Sequence, residues 1–158
     1  MSRLTRRGEL FTEIVLEVFR LNRLLLDAGD GLTAPVGLTS ARWQVLGIVE
    51  HGPAPVAQVA RAMGLTRQSV QETANGLEAD GFIEFAPNPR HRRARLLIMT
   101  PKSYAAMEVV ARRHASWANE LANRHQPAAL APVVSVLSEI RATLEESVAS
   151  RSAQEVAS

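Results

Sequence analysis

The chain has no cysteine. That excludes disulfides, thiolate metal sites and thiol redox sensing together, so any stimulus it senses must act by other chemistry. His51, His91, His114 and His125 are scattered, without carboxylate spacing, and no metal site is expected. A glycine-rich phosphate loop and a nucleophile constellation are also missing, which argues against an enzyme and against a bound cofactor. No run approaches the roughly 18 consecutive apolar residues that suggest a membrane span. The opening MSRLTRRGELF lacks the apolar centre of a signal peptide, so the expected location is the cytoplasm, away from membranes. Lysine is nearly absent too: seventeen of the eighteen basic residues are arginine and Lys102 is the other. Heavy alanine use points to a compositional bias that accounts for this, and the arginine total is therefore not used as a sign of function.

What is present is ordinary for one folded domain or compact subunit of 158 residues, at 46% hydrophobic and 22% charged. The net charge of +2 hides a local asymmetry. The last twenty residues hold four glutamates and two arginines, whereas Arg90, Arg92, Arg93 and Arg95 fall in a stretch from Phe85 to Pro101 with no carboxylate between those ends. Upstream, Val56, Val59, Ala60 and Met63 have helical spacing, Gly64-Leu65 breaks it, and Val70, Ala74 and Leu77 resume it. Two short helices, a tight turn and a basic hairpin make a helix-turn-helix with a wing, an arrangement suited to duplex DNA.

The flanks read as helices. Leu10, Ile14, Val18, Leu21 and Leu25 step along a helix from about Gly8 to Ala28, with a stop signal in Asp27 to Gly31 and a loop to Leu38. Thr39 or Ser40 can cap a helix carrying Val45, Leu46 and Val49. Thr100-Pro101 starts another, running to about Asn123, and Leu130 to Val148 repeats over some five turns, with Pro127 and Pro132 leaving its start open. The predicted fold is mainly α with a small two- to three-stranded β-wing: residues 1–36 an N-terminal dimerisation helix, 37–101 the winged helix-turn-helix, 102–158 C-terminal dimerisation helices. These long terminal stripes have no obvious partner within so small a reader; a symmetric homodimer would bury them, the alternative being that they fold back as a monomeric bundle.

The blocks LTSARWQVLGIVEHG, GLTRQSV, LEADGFIEF and RHRRARLLIMTPK, in that order over about residues 38 to 107, resemble the MarR (multiple antibiotic resistance regulator) family of bacterial transcription factors. The resemblance implies a homodimeric winged-helix protein, usually a repressor, whose DNA affinity often falls when a small, frequently aromatic or anionic, effector binds. The family's wing commonly carries an aspartate where this chain has His91, and that aspartate braces the arginine matching Arg93. Ser103 stands in place of a glycine, and Glu72, Thr73 and Gly76 replace the more usual basic, apolar and basic residues. These departures bear on operator preference and wing rigidity rather than on fold.

With Thr66 as cap, Arg67, Gln68, Ser69 and Gln71 occupy the first two turns of the recognition helix. Arg67 could fork onto guanine and Gln68 or Gln71 onto adenine, while Thr66 and Ser69 suit phosphate. Glu72 could accept from a cytosine amino group or stay solvated. Arg90, Arg92 and Arg93 sit on a Pro-Asn-Pro turn where an arginine can enter a narrow minor groove, and Arg93 is the first choice. By the same resemblance, Trp43 is a candidate wall of an effector pocket, or simply core, and Arg20, Arg42, Arg112 or Arg113 are possible carboxylate partners. The competing reading is a winged helix that binds protein rather than DNA, for which the Arg67-Gln68 start and the acid-free wing have no use.

Overall fold

The computed structural model describes the backbone of residues 3–156 and the side chains of residues 3–150. Helix α1 spans Arg6–Thr33 and a single 3-10 turn, Ala34–Val36, follows it. Then come α2 (Ser40–Val49), β1 (Ala54–Pro55), α3 (Val56–Met63), α4 (Arg67–Ala79), β2 (Ile83–Ala86), β3 (Leu96–Met99), α5 (Pro101–Ala122) and α6 (Pro127–Val156). The chain forms two compact units that divide within α5, after His114.

In the first unit, α2, α3 and α4 close over the small sheet. Leu46, Val59, Val70, Leu77, Ile83 and Leu97 are fully buried between them. The hairpin pairs Ile83 with Met99 through Ala86 with Leu96, and β1 adds a third antiparallel strand to the other edge of β3, with Ala54 opposite Leu97. Without β1 the edge of β3 would be unpaired. The chain is thus mainly helical with a three-stranded wing sheet, the upper of the two strand counts expected.

The first helix overruns its expected end. The sequence places a stop signal at Asp27 to Gly31, yet α1 continues to Thr33. Its glycine serves close packing instead of termination: a Cβ on Gly29 would fall on the Ser40 side chain, so the missing methyl lets the start of α2 approach. Asp30 Oδ1 then accepts the Ser40 amide at 2.6 Å, and the buried Thr33 hydroxyl lies 2.9 Å from the Gly29 carbonyl and 3.1 Å from that of Leu38. The turn comes later, at Gly37, whose φ of 75° suits glycine. Thr39 caps α2, its hydroxyl accepting from the Arg42 amide at 3.3 Å.

The second unit holds the rest of α5 and α6. The α6 helix begins at Pro127 and carries Pro132 inside, where the missing N–H removes one hydrogen bond. Leu130, Val133, Val134, Leu137, Leu144 and Val148 are exposed along it, as are Leu10, Phe19, Leu21 and Leu25 along α1 in the first unit. By length and composition alone, Pro127–Ser150 is long and apolar enough to cross a membrane. No contiguous apolar run foretold this, because Pro132, Ser135, Ser138 and the charged residues break the segment into short pieces. Four charged residues, Glu139, Arg141, Glu145 and Glu146, also lie there, and a charge at a bilayer centre costs about 2.5–3.5 kcal/mol.

Gly29→Ala tests the packing at the end of α1. In a free helix the change would stabilise by about 1 kcal/mol. Here the added methyl meets Ser40, and urea unfolding should show a net loss of about 1–3 kcal/mol.

Candidate nucleic-acid interface

The site is built outward from one turn. Gly64 ends α3 in the left-handed conformation, φ 65°, and its amide returns to the α3 carbonyls. Two residues on, the Thr66 hydroxyl accepts the Ser69 amide at 3.1 Å and starts α4. With α4 so aimed, Val70, Ala74 and Leu77 are completely buried, and Arg67, Gln68, Ser69 and Gln71 are exposed.

A cleft of about 530 Å³ opens between this exposed face and the wing. Arg67, Gln68, Gln71, Asn75 and Glu78 line it from α4, Phe85, Arg93, Ala94 and Arg95 from the hairpin, and Pro55 to Ala57 from the start of α3. Of the residues expected from sequence, the structure therefore brings together Arg67, Gln68, Gln71 and Arg93. Arg90 and Arg92 are exposed on the wing tip and do not line the cleft, nor do Ser69 and Thr66, whose hydroxyl serves as the cap. Asn75 and Glu78 were missed. Their signal was available, since Asn75 is four residues from Gln71 and Glu78 seven, all on one helical face.

The amides on α4 are held before any ligand arrives. Gln68 Nε2 donates to Glu72 at 3.3 Å and Gln71 Nε2 donates to Asn75 Oδ1 at 2.8 Å. Each bond commits the glutamine NH2 to an acceptor four residues on along the same helix, and the first gives Glu72 a partner there.

The wing solves the loss of its usual carboxylate in another way. Among the described residues no carboxylate pairs with Arg90, Arg92 or Arg93. Instead the tip is closed by Asn88, whose side chain accepts the Arg90 amide at 3.0 Å and whose carbonyl accepts the His91 amide at 3.2 Å. Past the last ladder pair, Arg95 crosses the hairpin. Its Nη2 donates to the Phe85 carbonyl at 2.5 Å and its guanidinium lies 5.0 Å from the Phe85 ring centroid. Arg95 is a brace, and the other three arginines are left to face outward.

The turn from α4 into β2 is gripped by the Thr-Pro-Lys segment. The Thr100 hydroxyl is 2.8 Å from the Gly81 carbonyl, Lys102 Nζ donates to the Asp80 carbonyl at 2.6 Å, and the Lys102 ammonium lies 4.4 Å from the Phe82 ring centroid. The buried Ser103 hydroxyl donates to the Phe82 carbonyl. A glycine at 103 could not make that bond.

The second candidate site fares less evenly. Trp43 is half-buried against the core and meets His114 edge-on, ring centroids 5.4 Å apart at 66°. Three of its four proposed arginine partners are engaged elsewhere. Arg20 pairs with Glu17 at 2.5 Å, Arg42 with Asp80 at 2.6 Å, and Arg113 donates to the carbonyls of Leu32 and Gly31 at 2.9 and 3.2 Å. Helical spacing did not foretell the contacts of Arg42 and Arg113, because both partners lie on other elements. Arg112 is exposed.

Comparison with known proteins places this geometry. The sequence profile of the MarR family matches residues 36–94. The chain is 39% identical over 117 residues to the uncharacterized protein Rv2011c of Mycobacterium tuberculosis, covering 74% of this chain and 82% of that one. It is 28% identical over 107 residues to the transcriptional activatory protein BadR of Rhodopseudomonas palustris, covering 65% and 61%. Among solved structures it resembles AbsC, a MarR family transcriptional regulator from Streptomyces coelicolor (TM-score 0.75, 20% identity, 92% of this chain and 99% of that one). It also resembles the transcriptional repressor CouR bound to a 23-mer DNA duplex (TM-score 0.74, 23% identity, 89% and 99%).

Arg95→Ala removes a hydrogen bond and a cation–π contact that span the hairpin. Amide exchange should speed up across 83–99, with a loss of global stability of only about 1 kcal/mol in urea.

Proposed function

This chain belongs to the MarR family, and from that premise we propose that it is a homodimeric transcriptional regulator that reads duplex DNA with α4 and the wing and responds to a small molecule. The observation that carries the reading is the cleft in which Arg67, Gln68 and Gln71 stand across from Arg93, on a wing with no carboxylate between Phe85 and Pro101. Arg67 and the two glutamines suit base edges in the major groove, and Arg93, with Arg90 and Arg92 beyond it, suits phosphate and the minor groove. Thr66 and Ser69 at the helix start suit phosphate. Glu72 and Asn75 act on reading through the glutamines they hold. BadR is named an activator and CouR a repressor; for this chain we favour repression, with reporter expression in a deletion strain as the check.

Dimerisation is supported by the exposed apolar residues of α1 and α6, a surface that water penalises until a second copy covers it. Two recognition helices would then lie about 34 Å apart, one turn of DNA. An effector bound beside Trp43 and His114 would favour a dimer that no longer meets that spacing. Its coupling to DNA must be reciprocal, each ligand weakening the other by one factor.

Sedimentation equilibrium should give twice the 17.2 kDa chain mass; a monomer at micromolar concentration would overturn the dimer. Binding to the duplex upstream of the gene, read by fluorescence anisotropy, should exceed binding to a scrambled duplex. It should also fall steeply with salt, by about 10³ to 10⁵-fold from 50 to 200 mM if about six to ten phosphates are neutralised. Arg93→Ala should weaken binding and reduce the salt slope by about 1 per half-site. Salt-insensitive binding, or none to any duplex, would favour a protein-interaction module.

A further inference from the structure

The family's usual basic residue at position 76 is glycine in this chain, and the structure shows what fills the space. A Cβ on Gly76 would come within 2.9 Å of Arg42 Nη2, so the guanidinium of α2 lies over the bare backbone of the recognition helix. Its Nη1 reaches on to Asp80 Oδ2 at 2.6 Å, at the C-terminal cap of the same helix. The Arg42 side chain is 24% exposed, well covered for an arginine, and Asp80 is 51% exposed. Gly76 and Asp80 lie on a different flank of α4 from Gln71, Asn75 and Glu78, which line the cleft. Arg42 thus holds the helix from the side away from the wing, while Lys102 and Thr100 hold the following turn from the start of α5.

We propose that Arg42 is a positioning residue for DNA sequence discrimination, setting the tilt of the recognition helix through Gly76 and Asp80. This rests on the DNA-reading role given above. Base contacts by Gln68 and Gln71 need donors and acceptors placed to within about 0.5 Å, whereas phosphate attraction tolerates larger shifts. A loosened α4 therefore loses preference between sequences before it loses charge-driven affinity. Planarity matters as well: the fork lets one nitrogen lie on glycine while the other meets the carboxylate, a geometry lysine lacks.

The test uses the full-length protein and a duplex selected by the wild type from a randomised library, against a scrambled duplex, across a salt series. Arg42→Gln and Asp80→Asn should each cut the ratio of selected to scrambled affinity roughly tenfold. The scrambled-duplex affinity and the salt slope should not change. The double variant should lose no more than either single one, because both break the same contact. Gly76→Ala keeps every charge and favours the helix, so it covers the case in which a charge variant fails to fold; its methyl displaces the guanidinium and the same ratio should fall. If the slope drops by about 1 per half-site and both duplexes weaken equally, Arg42 is a phosphate contact and the proposal is wrong. Unchanged discrimination in Arg42→Gln and Gly76→Ala also overturns it, leaving the DNA-reading role intact. A wild type that selects no duplex overturns both.

Discussion

The first unit depends on how the C-terminal end of α4 is held. The turn at Asp80 to Phe82 leaves carbonyls that the helix can no longer satisfy. Thr100, Lys102 and Ser103 take those of Asp80, Gly81 and Phe82, and Arg42 takes the Asp80 carboxylate. Side chains from α2, from the end of the hairpin and from the start of α5 therefore meet on three consecutive residues. Lys102 also sits where the helix dipole is negative, which favours its charge. The same turn fixes where the wing begins, since β2 starts at Ile83.

Arginine is common throughout, and the structure sorts the arginines by what they touch. Arg42, Arg95 and Arg113 make contacts that join separate parts of the fold, to a carboxylate, an aromatic face or helix-end carbonyls. Arg67, Arg90, Arg92 and Arg93 have no ion pair among the described residues and surround the cleft and wing tip. Ion pairs such as Arg6 with Glu9 or Arg141 with Glu145 are exposed neighbours on one helix and contribute little. Positive charge at the cleft and wing tip thus comes from arginines without an ion pair, set against Glu78 in the same lining, rather than from the net charge of +2.

Apolar residues divide in a similar way. Those of α2, α3, α4 and the hairpin close a core by themselves. Most of those of α1 and α6 stay exposed although they recur at helical spacing, so among the described residues the periodicity that marks a buried face does not find its partner in one copy. This is the physical basis for proposing a second subunit. The same exposed apolar residues make α6, by length and composition alone, apolar enough to cross a membrane, although Glu139 and Arg141 lie within it.

Sequence alone determined whatever follows from neighbours along the chain. The cap at Thr66, a cap at Thr39 or Ser40, the turn at Gly64, the buried trio Val70, Ala74 and Leu77, and the start of α5 at Pro101 are local in origin and were legible as such; the structure settles the α2 cap as Thr39. So was the candidate reading face from Arg67 to Gln71, because helical period sets which residues face away from a core. Tertiary structure decided whatever depends on a partner distant in sequence. Gly29 reads as a stop until Ser40 lies against it, Gly76 as a defect until Arg42 covers it, and Arg95 as one more wing charge until Phe85 lies across the hairpin. A glycine states that a side chain is absent, but only packing says what takes its place. An arginine likewise carries its charge everywhere, and whether it serves a partner or a ligand depends on what the folded chain brings within a few ångströms.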